Sequence, residues 1–204
     1  MPPGPPATVF ILIDWSGSYD YLKTAVERVV ELLKTLPPGT RVVVRKITGD
    51  SYPPENSIKT TVLPNPREIQ NPLNPNERRR FQAEKKRYVT DRNELISTLV
   101  NAPSTRRSSR TDILGGLLYC AENLNMAKGS VHLLIASDLK NNVSKYGSYL
   151  KRGCLSNVKV YVISYQNVEP DLRTFWDMRF RDLGAISVNF WGPDDRFTAN
   201  CLVK

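Results

Sequence analysis

The chain has 204 residues, 40% of them hydrophobic and 24% charged, which is enough length and apolar content for one globular domain with a sizeable core. Its net charge is +9, and no apolar run reaches the roughly 18 residues that a membrane-spanning helix requires. The opening "MPPGPPA" lacks the basic and apolar regions of a signal peptide and is expected to be a flexible, polyproline-like tail over residues 1–7, with one domain over 8–204.

Residues 8 to 13, "TVFILI", form a continuous, β-branched-rich apolar run and predict a strand buried on both faces. After a polar turn, "YLKTAVERVVELLKTL" places Leu22, Ala25, Val26, Val29, Leu33 and Leu36 at helical spacing, and "PPG" at 37 to 39 stops the helix. "RVVVRKI" (41–47) predicts the next strand. Strand, helix, strand is a βαβ unit and implies a parallel sheet.

A long insertion over about 48–110 follows. Its first part is rich in Pro, Asn and Ser and carries a short strand, "SIKTTVL". Its second part, from Asn76 to Ala102, predicts one long charged helix or two short ones. "TDILGGLLYCAENLN" predicts a helix with polar first residues, whose "LGGL" permits close packing on the sheet. "SVHLLIAS" (130–137) predicts a second buried strand that ends in Asp138. "NVSKYGSYLKRG" is expected to be a loop and helix, "VKVYVISY" a strand, "DLRTFWDMRFRDLG" a helix and "AISVNFW" a last strand. The tail "DDRFTANCLVK" reads as a final helix or a frayed end.

This alternation predicts an α/β fold, a Rossmann-like doubly wound, mostly parallel sheet with helices on both faces. Ligands in such sheets bind outside the carboxyl ends of the strands. Asp14 and Asp138 each follow a buried strand, and Thr111 and Asp112 open a helix, so all four are expected on that edge.

The three cysteines, Cys120, Cys154 and Cys201, show no metal or redox spacing. Their sparse, odd number favours a reducing, cytoplasmic compartment. The single histidine, His132, sits within an apolar strand and is expected to be a core residue, which excludes most histidine-dependent catalysis. No phosphate-binding glycine loop is present.

"DWSGS" at 14–18, "TD" at 111–112 and "SD" at 137–138, in this order and on these elements, resemble the three loops of the metal-ion-dependent adhesion site of von Willebrand factor A (vWA) domains. The resemblance covers about residues 8 to 192. It implies a Mg²⁺ (or Mn²⁺ or Ca²⁺) held directly or nearly so by Ser16, Ser18 and Thr111, with Asp14 and Asp138 acting largely through water. Hydroxyls and water suit a hard octahedral cation. An open coordination position would then accept a carboxylate from a partner protein within a larger assembly, without enzymatic activity.

Two features depart from the family pattern. Leu139 stands where a glycine is common and narrows the approach to the metal, and Trp15 is either packed under the sheet edge or set beside the metal as a partner contact. Each residue also has a plainer reading. Ser16 or Ser18 caps the following helix, Thr111 caps its own, and Asp138 forms a turn.

An alternative function uses the same edge. Asp14, Asp112 and Asp138 could form the acidic cluster of a PIN-like or NYN-like metal-dependent nuclease, which would welcome a basic surface. Residues 77–110 hold ten cations, among them Arg106, Arg107 and Arg110, against four acids, and so contribute +6 of the +9. Such a segment is expected to meet an acidic or nucleic-acid partner and to help surround the metal face, unless it is simply a solvated helix face.

Overall fold

The computed structural model describes residues 7–17, 19–102, 108–165, 169–195, 197 and 202. Its centre is strand β1 (Ala7–Asp14). Val9, Ile11 and Ile13 enter one core with the buried face of helix α1 (Leu22–Thr35), while Phe10 and Leu12 enter a second core on the opposite face. A period-2 strand that must bury both faces has no room for polar residues, which is why its sequence is uninterrupted.

Strand β2 (Arg41–Ile47) pairs with β1 in parallel, and β3 (Ser57–Val62) adds an antiparallel edge. Helix α2 (Pro75–Val100) is a single helix of 26 residues. It starts at Asn74, whose side chain accepts from the amides of Asn76 and Glu77, with Pro75 in the first turn. Helix α3 (Ile113–Glu122), strand β4 (Ser130–Ala136), strand β5 (Val158–Ile163), helix α4 (Pro170–Asp182) and strand β6 (Ser187–Phe190) complete the order.

The sheet runs β3-β2-β1-β4-β5-β6, parallel except at β3. The chain winds outward from β1 to β2, then returns to β4 on the other side. The sheet is therefore doubly wound, and its switch point lies between the carboxyl ends of β1 and β4. Helices α1 and α2 cover one face and α3 and α4 the other.

One predicted element is absent. Residues 142–153 form turns instead of a loop and helix. Gly147 and Gly153 interrupt the segment, and Gly153 and Asn157 take left-handed φ of 77° and 66°. Bonds from Gly153 N to Asp182 O (3.2 Å) and Leu155 N to Leu183 O (2.7 Å) tie the turns to the end of α4, while Tyr146, Leu150 and Leu155 fill the second core. Tertiary anchoring replaces the local helix.

The basic segment also departs from expectation. Helix α2 runs antiparallel to α1: Tyr88 Oη donates to Leu36 O and Arg92 Nη1 donates to Lys34 O, both at the carboxyl end of α1. Since α1 returns from the carboxyl to the amino ends of the parallel strands, residues 78–87 lie at the amino-terminal end of the sheet. They do not surround the edge where Asp14 and Asp138 stand. Among the described residues of this segment, the far end of α2 and residues 108–112 reach that edge.

Candidate functional site

Asp14 closes β1 and is fully buried. Its Oδ1 accepts from Ser16 N (2.8 Å) and its Oδ2 from Ser137 Oγ (2.7 Å). The Ser16 hydroxyl also donates to this carboxylate. Ser137 Oγ in turn accepts from Leu139 N (3.0 Å), so the turn after β4 is locked to the end of β1. Among the described residues no lysine or arginine forms an ion pair with Asp14. Burial pushes its pKa up, and the negative charge of Asp138 adds in the same direction.

Asp138 is almost buried, and its Oδ1 accepts from Lys140 N (3.0 Å). Its pKa is also raised by burial, with Glu169 and Asp20 contributing repulsion. Tyr19 presents a buried phenol to the same pair, and its pKa rises through burial and then through the charge of Asp14. Two desolvated acids repel each other at the switch point, and among the described residues neither forms a salt bridge, the exposed Lys140 only partly offsetting the charge of Asp138.

Three loops meet there. Gly17 N donates to Ser108 O (2.7 Å), and Ser16 and Ser108 form a parallel bridge. Asp112 N donates to Thr48 O (2.8 Å) at the end of β2. Asn142 Oδ1 accepts from Thr111 N (2.7 Å), while Asn142 N donates to Thr111 O (3.1 Å). Asn141 Oδ1 accepts from Ile113 N (2.7 Å). The tandem asparagines of "SDLKNN" thus clamp the start of α3 to the turn after β4. Sequence reasoning missed the two asparagines, and it placed Ser137 in the third loop without its bond to Asp14, although the polar pair just beyond a buried strand end was the visible trace of the clamp.

Thr111 is fully buried, and its Oγ1 has no hydrogen-bond partner among the described residues. A buried hydroxyl without a partner is costly, on the order of 1–3 kcal/mol. A cation would satisfy it. Ser16, Thr111, Asp14 and Asp138 therefore fit the donor set of a hard divalent ion: neutral hydroxyls in front, carboxylates with spare lone pairs behind. Ser18, Arg106 and Arg107 lie outside the described residues. Among the described residues no group of three or more His, Cys, Asp or Glu side chains could hold a metal, so any site here depends on serine and threonine.

Four predicted partner contacts separate into one exposed residue and three buried ones. Arg110 is exposed. Trp15 is 4% exposed and packs in the core beside Leu22 and Leu99, with Lys46 Nζ 5.1 Å from its ring centroid. Leu139 is fully buried with φ 64°, in the left-handed region that favours glycine, and its side chain lies in the second core rather than over the site. Asp112 is fully buried and caps α3, its Oδ1 accepting from Gly115 N (2.9 Å) and its Oδ2 from Ser51 N (2.9 Å). Leu139 and Asp112 are thus corrected from partner contacts to scaffold, while Trp15 takes the packed one of its two expected positions.

Among the described residues no group of three acids is placed to hold a metal, which weakens a nuclease centre of Asp14, Asp112 and Asp138. A Cβ on Gly115 would overlap the Asp112 carboxylate, and one on Gly116 would sit 3.1 Å from Leu12. The "GG" pair thus serves both the cap and the sheet contact.

His132 is buried at the opposite half of β4, beside Val9. Its Nε2 lies 3.0 Å from Ser130 Oγ, its ring stacks on Tyr161, and burial lowers its pKa to about 4. Cys120 is buried and its thiol is pushed up to about 12, while burial also raises Cys154. Neither cysteine is a poised thiolate.

No protein-family model matches the sequence, and no curated protein matches it. Similar solved structures exist. The PilB minor pilin from Streptococcus sanguinis aligns at TM-score 0.52 and 12% identity, over 94% of this chain and 58% of that one. The von Willebrand factor type A protein from Catenulispora acidiphila aligns at 0.49 and 14%, over 92% and 39%. The manganese-loaded Plasmodium vivax TRAP protein aligns at 0.48 and 14%, over 84% and 62%. The chain spans less than two thirds of each of these structures. The first likeness is one of fold.

Proposed function

We propose that this domain is a protein-binding module of the vWA type, whose polar edge takes a divalent cation and uses it to capture a carboxylate of a partner protein. The observation that carries the reading is the unpartnered Thr111 hydroxyl, buried at the same sheet edge as the unpaired Asp14 carboxylate. Ser16, Ser18 and Thr111 would hold Mg²⁺ or Mn²⁺ with their hydroxyls, and Asp14 and Asp138 would support it through water. Bound there, the cation supplies an electrophilic position for an incoming acid.

The chain's own contribution is positional. Ser137 and the Ser16 amide orient Asp14, and Asn141 and Asn142 fix the loop that carries Thr111. The lone histidine and the described cysteines are buried or of raised pKa, which supports a binding role over an enzymatic one. Among the described residues no helix is long and apolar enough to cross a membrane.

The test is a Mn²⁺ titration followed by the electron paramagnetic resonance of the free ion. Wild-type protein is expected to bind one equivalent. Thr111→Val keeps the shape and removes the hydroxyl, and should weaken binding about tenfold or more. Adding acetate or a short glutamate peptide should then change the water relaxivity of the bound ion. Equal Mn²⁺ affinity in both proteins would contradict the proposed site.

A further inference from the structure

The exposed half of helix α2 is charged in a one-sided way. Over residues 75–90, Arg78, Arg79, Arg80, Lys85, Lys86 and Arg87 stand against Glu77 and Glu84. Both acids are consumed by the fold: Glu77 accepts from Gln70 N (2.9 Å) and Asn71 N (3.0 Å), and Glu84 from Arg67 N (2.7 Å). Further along, Asp91 pairs with Arg87, and Glu94 with Lys59. Arg78, Arg79, Arg80, Lys85 and Lys86 are all exposed, and among the described residues none has an ion pair or side-chain hydrogen bond. Five cations without internal partners, on a helix whose acids all have one, leave a strong positive potential facing solvent.

At 100° per residue these five side chains occupy about 220° of the circumference, from Lys85 round to Arg80. The remaining arc holds the half-buried Phe81 together with Tyr88, Leu95 and Leu99, which pack in the first core. The outer surface carries no exposed aromatic residue, and its large apolar side chains are two valines, Val89 (39% exposed) and, at the far end, Val100 (59%). A protein interface needs buried aromatic or apolar anchors. A membrane-surface helix needs an apolar face free to sink into lipid, and here that face is spent on the fold. Single-stranded nucleic acid is gripped by exposed aromatics, which are also missing. Duplex phosphates ask only for cations, and a helix about 10–12 Å across fits the major groove of B-form DNA while the A-form groove is too narrow.

We propose that the amino-terminal half of α2 is a sequence-independent docking element for double-stranded DNA, placed at the opposite end of the sheet from the Asp14 edge. The two surfaces are separate, so one domain can hold a protein at one end and a duplex at the other. This inference does not rest on the metal site.

The test is fluorescence anisotropy of a labelled 20-base-pair mixed-sequence DNA duplex with the full chain at 50 and 200 mM salt. About four phosphate contacts predict an affinity loss of about 100-fold across that range. Arg79→Gln with Lys86→Gln should weaken binding and lower the salt slope by about 2, with an unchanged thermal midpoint to show that the variant folds. Asp14→Ala should leave DNA binding unaltered even if it abolishes metal binding. Absence of binding by folded wild type at 50 mM salt overturns the proposal, as does equal binding by the double variant. Tighter binding to anionic vesicles, to a polyglutamate peptide or to an RNA duplex than to DNA overturns it in favour of that partner.

Discussion

Leu139 offers a quantitative check on how the site edge is built. Its side chain is fully buried in the second core, and its backbone sits at φ 64°. Its amide donates to Ser137 Oγ, and its carbonyl accepts from Trp176 Nε1 (2.9 Å). Both bonds are main-chain on the Leu139 side and survive substitution. Leu139→Ala removes the buried methyl groups, at a cost of about 3 kcal/mol, and keeps the left-handed strain of a residue with a Cβ. Leu139→Gly loses the same packing and relieves about 1 kcal/mol of strain. The usual order is therefore inverted, with glycine milder than alanine. For a domain of this size each kcal/mol moves the midpoint by about 2–4 °C. Alanine should lower it by about 6–12 °C and glycine by about 4–8 °C, measured by calorimetry or by urea titration with Trp176 as a fluorescent reporter. Alanine at least as stable as glycine would refute the left-handed assignment, and a neutral alanine variant would refute the packing.

Three further outcomes follow from the same geometry. Asp112→Ala removes the cap of α3 and the acceptor for Ser51 N, so stability should fall by about 2–3 kcal/mol in urea titration while the Mn²⁺ response persists. Loss of metal binding in a folded Asp112 variant would restore the three-acid reading. His132 is held neutral, with a pKa of about 4 in the fold against 6.5 unfolded. The unfolded chain therefore takes up a proton first, and stability declines as pH drops from about 6.5 toward about 4, by on the order of 3 kcal/mol. Urea titrations at pH 7 and 4.5 should show that decline reduced in His132→Gln, and an identical decline in both proteins would mean that His132 is solvated. Gly115→Ala would press a methyl group into the Asp112 carboxylate, and a circular-dichroism melt should show it less stable than Gly116→Ala, where the neighbour is the flexible end of Leu12.

The strands were legible because burial on both faces writes an uninterrupted apolar run, and the predicted "RVVVRKI" coincides with β2. The stop after α1 was legible because Pro37 and Pro38 cannot continue a helix. The segment 142–153 was misread because its apolar residues suit a helix locally, while two glycines and bonds to the end of α4 hold turns instead. The edge at which Asp14, Thr111 and Asp138 gather follows from strand order alone. The Ser137–Asp14 bond does not, since it joins residues 123 positions apart. The basic helix was placed at the wrong end of the sheet because nothing local says that α2 lies antiparallel to α1. For Trp15 the sequence left a packed and a metal-side position open, and the packing of α1 against α2 decides for the core.

The central claim is tested most directly by thermal melts of wild type and Asp14→Ala, each with and without millimolar Mg²⁺ or Mn²⁺. A cation that binds only the folded state at 100 times its dissociation constant adds about 2.7 kcal/mol, a rise of about 5–11 °C. The account predicts that rise in the wild type and its absence in Asp14→Ala. An equal shift in both proteins, or none in the wild type, would contradict a cation site at the end of β1.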